Sequence, residues 1–340
     1  MLAKKALLAS ALARTGVACM ALHGRCFGVQ DRLTVIAYHR VMDIGGEDSF
    51  PFDPELVSAT CDDFLRQMEF VRRHFTPVTF AEVVAAIEGR KKLPKRPIIV
   101  SFDDGHLDNY LNAFPVLKQL GMPATIFLAT GYIGVEGTFW FDRVAELLFR
   151  ANAGMLRVEC LGYSAVLGDI RSKRSACHLL LEALKRVPNH VRLQALAELE
   201  ETVGVQFPSQ ARNATLDWAQ VREMSAGGIE FGSHTVSHPI LTKLDDAELF
   251  HELHDSRERI RRETGQAAEV LAYPAGNAYA FDDRVIAAAR QCGYKLGVSY
   301  ISGVDRLSSL SHFAVRRLHG ERYLSFDQFQ AMLAFPAVFA

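Results

Sequence analysis

The sequence lacks an excess of either charge, because its 340 residues carry 38 basic and 39 acidic side chains, a formal net charge of −1. A chain without a basic surplus has no strong electrostatic attraction to DNA, RNA or an anionic membrane. We therefore expect no nucleic-acid partner. Hydrophobic residues make up 49% of the chain, which supplies apolar material for one large domain or two ordinary ones.

The sequence also lacks a cysteine framework. None of its six cysteines forms a C-x-x-C pair, and their spacing is irregular: Cys19, Cys26, Cys61, Cys160, Cys177 and Cys292. The pattern predicts unpaired thiols, most of them buried, and favours a reducing compartment, with disulfide pairing as the open alternative.

The N-terminus lacks an apolar run long enough to cross a bilayer. Lys4 and Lys5 precede a run of eight residues that Arg14 interrupts, which is at the lower limit for a secretory signal peptide. We predict a helical segment over residues 1–30, packed on the domain or lying on a membrane surface as a peripheral anchor. A cleaved signal peptide is the alternative. The prediction favours a cytoplasmic or membrane-peripheral location over export.

The rest of the chain alternates short apolar or β-branched runs with helical segments. Seven such runs predict strands at 32–39, 96–102, 124–130, 228–234, 269–274, 295–300 and 313–318. This alternation is typical of βα units with a parallel sheet, so the fold class is α/β, and about seven strands favour a barrel over an open sheet. The alternation of strands and helices is interrupted at about 135–215, where the sequence indicates a hairpin and two amphipathic helices. We therefore predict an insertion there, within a domain spanning 31–330.

Two adjacent acids, Asp103 and Asp104, end the apolar run "IIVSF". The carboxyl ends of parallel strands gather functional groups at one face of the sheet. Two neighbouring carboxylates repel each other when buried, and a division of labour relieves this, with one acid binding a cation and the other acting as a base. A helix-capping role for one of the acids is the structural alternative.

Two histidines, His234 and His238, follow another predicted strand in "EFGSHTVSH". At a spacing of four residues both imidazoles can face the same side and bind one metal ion. A lone pair at this spacing also arises by chance on surfaces. Together with an aspartate from a preceding strand end, however, it predicts a three-ligand site with open positions for water and substrate.

A third stretch, "LAYPAGN" at 271–277, also follows a predicted strand. Pro274 and Gly276 predict a tight turn whose backbone N–H groups could stabilise an oxyanion, although an ordinary loop would show the same letters.

These motifs, in this order, resemble those of the NodB-like polysaccharide deacetylases, metal-dependent N-deacetylases of the carbohydrate esterases. The resemblance extends from about residue 33 to residue 321, and the exopolysaccharide-type members are the most similar. It implies a distorted (β/α)7-type barrel, the NodB homology domain, acting on N-acetylated glycans with Zn²⁺ or another divalent transition metal. "SFDDG" implies Asp103 as general base and Asp104 as a metal ligand, and "HTVSH" implies His234 and His238 as the other ligands.

The chain departs from this family at its third motif. Family members often carry an arginine that steadies the base, and Ala272 stands in that place. The "AYPAG" loop resembles the exopolysaccharide-type variant, with Ala275 as oxyanion donor and Tyr273 and Pro274 as substrate contacts. Arg316 or Arg317 is a candidate to contact the catalytic acid or the substrate.

The family's last motif supplies the histidine that protonates the leaving amine. Leu310-Ser311-His312 fits the family's last motif and makes His312 the candidate acid, with His319 or protonated Asp103 as alternatives. His39, at the end of the first strand, is a further candidate for the substrate pocket.

The resemblance predicts a hydrolase that removes N-acetyl groups from an amino-sugar polysaccharide or oligosaccharide. Water activated by the metal would attack, with Asp103 as base. Three alternatives remain open: hydrolysis of another C–N bond, hydrolysis of glycan O-acetyl esters, and an inactive glycan-binding protein.

Overall fold

A closed barrel of seven parallel strands organises the computed structural model, which describes residues 2–23, 32–135, 137–204 and 215–340. The barrel order is β1-β13-β11-β10-β9-β6-β5, and β1 closes it by pairing with β5 from Thr34↔Ile98 to Tyr38↔Phe102. The strands are β1 Arg32–Tyr38, β2 Arg40–Val41, β3 Val57–Ala59, β4 Thr76–Pro77, β5 Pro97–Phe102, β6 Ala124–Leu128, β7 Gly154–Val158, β8 Tyr163–Leu167, β9 Ile229–Ser233, β10 Val270–Ala272, β11 Leu296–Ser302, β12 Asp305–Arg306 and β13 Val315–His319. All seven predicted strands belong to the barrel, and the predicted fold class is confirmed.

Most helices cover the outside of the barrel. The helices are α1 Leu2–Arg14, α2 Val17–His23, α3 Cys61–His74, α4 Phe80–Ile87, α5 Phe114–Leu120, α6 Trp140–Arg150, α7 Ile170–Arg186, α8 Asn189–Val203, α9 Trp218–Ala226, α10 Asp246–Thr264, α11 Asp283–Gln291, α12 Phe326–Ala334 and α13 Pro336–Phe339. Of these, α6, α7 and α8 form a subdomain described below. Local sequence sets their ends: Asp245 and Glu248 form a capping box at the start of α10, and Gly265 ends it in a left-handed conformation.

The strands are buried on both faces, which explains their nearly continuous apolar sequences. Along β1, Leu33 and Val35 point into the barrel, where they pack with residues such as Val298 and Val315. Ile36 instead packs outward against the helices. Side chains therefore alternate between the barrel interior and the helix layer.

The insertion forms a small subdomain from α6, the β7–β8 hairpin, α7 and α8. Its own apolar core includes Leu147, Leu180, Leu184 and Leu199. The hairpin and the two helices predicted for this region are present.

The N-terminal helices α1 and α2 lie in the segment predicted to be helical. Ala9, Ala18 and Leu22 are buried, and Ser10 Oγ donates to Asp327 of α12 at 2.7 Å. Residues 1 and 24–30 of the predicted segment lie outside the described residues.

Five of the six cysteines lie in the described parts of the chain, and all five are unpaired, as predicted. Only Cys292 among them is buried, and the other four are partly exposed. The expectation that most thiols are buried is therefore wrong for these five, and Cys26 lies outside the described residues.

Candidate active site

A sharp turn after β5 separates the two adjacent acids. Asp104 and Gly105 both have positive φ, at 74° and 85°. A Cβ on Gly105 would lie 2.7 Å from Leu128 Cδ2, so the close approach of this turn to β6 requires glycine. The turn directs the Asp103 carboxylate toward Arg317 and the Asp104 carboxylate toward the histidines after β9.

Asp104, His234 and His238 form a compact, buried cluster. Asp104 Oδ1 lies 3.5 Å from His234 Nε2 and 3.4 Å from His238 Nε2. No described residue donates a hydrogen bond to this buried oxygen. One carboxylate oxygen facing two imidazole nitrogens is a donor set that suits Zn²⁺ or a similar ion, so these residues fit the predicted metal site.

Neighbouring groups orient the His234 ring and keep the His238 imidazole neutral, and both effects favour metal binding. His234 Nδ1 lies 2.8 Å from the Ala272 carbonyl oxygen, which fixes the ring and leaves Nε2 toward Asp104. Burial, together with the neighbouring His234, lowers the pKa of His238 to about 3. A neutral imidazole is the form that binds a metal.

His106 joins this cluster and was not anticipated from the sequence. Its side chain is fully buried, and Nε2 lies 3.3 Å from Asp104 Oδ2. Burial acts to raise the pKa of Asp104, but His106 and His238 outweigh it and hold that pKa below its ordinary range. The available signal was a third histidine two residues after the acid pair, in "DDGH".

Arg317 holds the predicted base. Its Nη1 and Nη2 donate to Asp103 Oδ1 and Oδ2 at 2.7 and 2.8 Å, and its Nε donates to the Ser299 carbonyl oxygen at 2.8 Å. Burial acts to raise the pKa of Asp103, whereas the charge of Arg317 and the nearby His234 lower it, with a net decrease. Asp103 is therefore a buried carboxylate kept ionised by a bidentate arginine.

The predicted substrate contact Arg316 lies elsewhere. Arg316 Nε donates to Asp305 Oδ1 at 2.8 Å, and the side chain is 45% exposed. Because alternate residues of β13 face opposite sides, Arg317 enters the barrel and Arg316 leaves it. Of the two candidate arginines, Arg317 contacts the acid, and the structure excludes Arg316 from the cavity.

The three candidate histidines also differ in their distance from the cavity. His39 lines the cavity, with Nε2 3.9 Å from Asp103 Oδ2. His319, at the end of β13, stacks on the Tyr300 ring with centroids 3.8 Å apart. His312 is exposed before β13 begins, and its carbonyl accepts from Gly297 near the start of β11. This position is at the opposite end of the barrel from Asp103, so His312 cannot serve as the predicted acid.

The loop after β10 places only part of its predicted contacts at the cavity. Ala275 lines the cavity with a φ of 59°, a left-handed conformation. Tyr273 also lines the cavity, while its ring stacks on Phe281 and its hydroxyl donates to the Phe313 carbonyl at 3.1 Å. Pro274 is buried and is not among the described cavity-lining residues. Of the three predicted contacts in this loop, Ala275 and Tyr273 therefore line the cavity, and Pro274 is not among the described lining residues.

A cavity of about 300 Å³ opens over Asp103 and the metal-ligand cluster, a volume at the lower end for small-ligand sites. The insertion supplies one wall through Trp140, Phe141, Leu181 and Lys185. Asp53 and Glu55, from the loop before β3, line another side.

A closed parallel barrel with an Asp-His-His cluster and an ionised carboxylate at its carboxyl-terminal strand ends is typical of metal-assisted hydrolases. The family model for polysaccharide deacetylase matches residues 90–166 and 181–297, which is more than half of the chain. The chain therefore belongs to the polysaccharide deacetylase family, a family of hydrolases.

Curated relatives share shorter regions. YxkH of Bacillus subtilis, named for the same family, is 23% identical over 209 residues, which cover 62% of this chain and 46% of YxkH. The poly-beta-1,6-N-acetyl-D-glucosamine N-deacetylase of Staphylococcus aureus is 27% identical over 115 residues, which cover 32% of this chain and 40% of that protein. The chain thus spans less than half the length of these relatives.

Solved structures share the fold across most of the chain. The Streptococcus pyogenes deacetylase PplD superposes with a TM-score of 0.58 at 19% identity, covering 86% of this chain and 94% of PplD. IcaB from Ammonifex degensii gives a TM-score of 0.57 at 18% identity, covering 91% and 98%. At these identities the likeness establishes the fold.

Proposed function

We propose that this protein removes N-acetyl groups from an amino-sugar polysaccharide or oligosaccharide by metal-assisted hydrolysis. The observation that carries the proposal is Asp103, a buried carboxylate held ionised by Arg317, in the same cavity as Asp104, His234 and His238. A base beside a three-ligand metal site is an arrangement that supports amide hydrolysis by an activated water. Names of two relatives, which specify polysaccharide and poly-N-acetylglucosamine deacetylation, support the substrate class.

Asp104, His234 and His238 would hold Zn²⁺ or another divalent transition metal. When bound, the ion would polarise the amide carbonyl and lower the pKa of the attacking water. Asp104 contributes the negative charge and the histidines contribute neutral nitrogen donors, a ligand set that leaves room for water and substrate.

Asp103 accepts the proton of the attacking water. The Ala275 N–H, on the cavity wall, is our candidate donor to the oxyanion that forms at the carbonyl carbon. The sugar nitrogen must then gain a proton before the C–N bond breaks, and protonated Asp103 holds one. His39, 3.9 Å from Asp103, can relay it. Burial lowers the pKa of His39 and so favours its neutral form. We therefore assign His39 the role of passing the proton on, with Asp103 as the proton's source.

The decisive experiment measures acetate release and metal content together. Purified protein, loaded in turn with Zn²⁺, Co²⁺ and Mn²⁺, is incubated with β-1,6- and β-1,4-linked N-acetylglucosamine oligomers, an O-acetylated glycan and small N-acetyl amides. We expect metal-dependent acetate release from the N-acetylated oligomers. Release only from the ester or the small amides would favour another hydrolase, and binding without any release would favour an inactive glycan-binding protein.

We further propose that α1 and α2 place the protein at a membrane surface. In the described residues no single helix meets the length and hydropathy of a span, although the pair Lys4–Arg14 and Val17–His23, bent by 71°, does so jointly. Leu7, Leu8 and Met20 are exposed by 74, 48 and 63%, which supports apolar contact with lipid. Flotation with vesicles should carry the protein but release a Leu7→Gln/Leu8→Gln variant, and equal flotation of both would contradict the proposal.

A further inference from the structure

The insertion reaches the metal-ligand loop through the first residue of α6. Trp140 Nε1 donates to the His238 carbonyl oxygen at 3.0 Å, and its side chain is almost fully buried. The guanidinium of Arg192, from α8, lies 4.9 Å from the centre of the Trp140 ring. Phe141 adds an edge-to-face contact with the His238 ring at 5.0 Å.

The loop that carries His238 has an unusual backbone. Thr235 and His238 have φ values of 72° and 56°, in the left-handed region that residues with a Cβ avoid. Such a conformation persists only when the surrounding structure holds it.

Different parts of the molecule hold the two halves of this loop. Glu252 of α10 accepts the Val236 and Ser237 N–H groups at 2.7 and 2.9 Å. The His238 N–H donates to Thr235 Oγ1 at 3.1 Å. The Trp140 indole, from α6, holds the His238 carbonyl.

We infer that Trp140 is a positioning residue for metal binding: its hydrogen bond fixes His238 in the left-handed conformation that turns Nε2 toward Asp104. The insertion would then help to build the metal site in addition to forming a cavity wall. This inference rests on the metal-dependent function proposed above, but metal affinity tests it independently of turnover.

The test compares matched changes at the two tryptophans of the chain. Trp140→Phe keeps an aromatic ring and removes the N–H donor. Trp218→Phe is the control, because Trp218 also lies at the start of a helix and beneath an arginine, with Arg259 4.9 Å from its ring. Zn²⁺ affinity is measured by chelator competition, and the Co²⁺ absorption spectrum reports ligand geometry.

We expect Trp140→Phe to weaken Zn²⁺ binding by roughly 10-fold or more, as for other groups that orient metal ligands, and to alter the Co²⁺ spectrum. Trp218→Phe should match the wild type in both. An unchanged affinity in Trp140→Phe, or a wild-type protein that binds no divalent metal, overturns the inference.

A second variant decides the matter if Trp140→Phe does not fold. Trp140→Leu also removes the indole donor but places a smaller apolar side chain in the same buried position, so its Zn²⁺ affinity should fall below that of the wild type. A folded Trp140→Leu protein with wild-type affinity would overturn the inference. If the Trp140 variant binds Zn²⁺ more weakly but the wild type releases no acetate, the proposed function is refuted and the inference about Trp140 stands.

Discussion

Arg317 and Asp103 form a buried, bidentate ion pair, with nitrogen–oxygen distances of 2.7 and 2.8 Å. Arg317 lies on β13 and Asp103 directly follows β5, and these two strands flank β1 in the barrel. Ala272, where related motifs carry an arginine, is also buried inside the barrel. An arginine from a different strand therefore steadies the acid in this chain.

Removing Arg317 should destabilise the protein and impair catalysis. Arg317→Met leaves the Asp103 charge buried without its partner, and breaking one side of such a pair costs about 3–5 kcal/mol. Arg316→Met is the matched control, since its half-exposed pair should contribute about 1 kcal/mol or less. Urea unfolding measures both, and equal losses in the two variants would contradict a special role for the buried pair.

Asp103→Asn should remove the base while keeping the metal ligands. We expect acetate release to fall by roughly 10²–10⁴-fold, the usual contribution of a general base. Metal content, measured by inductively coupled plasma mass spectrometry, should stay at the wild-type level. A variant that retains near-normal turnover would refute the assignment of Asp103.

The sequence was sufficient to predict the seven strands and, with the family resemblance, the Asp104, His234 and His238 cluster. Parallel strands must place their carboxyl ends together, so polar residues that follow different strands could be assigned to one site. By contrast, the sequence "FAVRRL" does not determine which alternate residues of the strand face the barrel interior. Val315 packs in the barrel interior. Arg317, two residues further along β13, therefore also points inward, where it contacts Asp103.

Residues beyond the strand ends were harder to place. His312 matched a three-letter motif, but it precedes β13 and so lies at the wrong end of the barrel. His106 follows two residues with positive φ, where neither helical nor strand periodicity predicts the direction of a side chain.

His106 should strengthen metal binding through its contact with Asp104. His106→Asn removes the imidazole 3.3 Å from Asp104 Oδ2, and we expect Zn²⁺ affinity to weaken by roughly 10–100-fold. Chelator competition measures the affinity, and activity should recover at saturating Zn²⁺. Unchanged affinity would show that His106 serves packing alone.

Replacing His39 and replacing His312 should give different results. His39→Asn removes a cavity imidazole close to Asp103, so kcat should fall by roughly 10-fold or more if His39 relays the proton. His312→Asn, at the far end of the barrel, should leave kcat unchanged. Steady-state acetate release compares the two, and an unchanged kcat in His39→Asn would refute the relay role of His39.

His319 should make stability depend on pH. Burial, with the nearby positive charge of Arg317, lowers the pKa of His319 to about 4 in the folded protein, against about 6.5 for an unfolded chain. The unfolded state therefore takes up this proton first, and stability falls as the pH drops from about 6.5 to about 4, by up to about 3 kcal/mol. Below that range both states are protonated and the loss is complete.

Replacing His319 isolates this contribution. His319→Gln cannot titrate, so its free energy of unfolding should lack this part of the pH dependence, although loss of the Tyr300 stack lowers it at neutral pH. The gap between wild type and variant should shrink as the pH falls from 7 toward 4. Urea unfolding across that range measures the gap, and a constant difference would show that His319 titrates normally in the folded barrel.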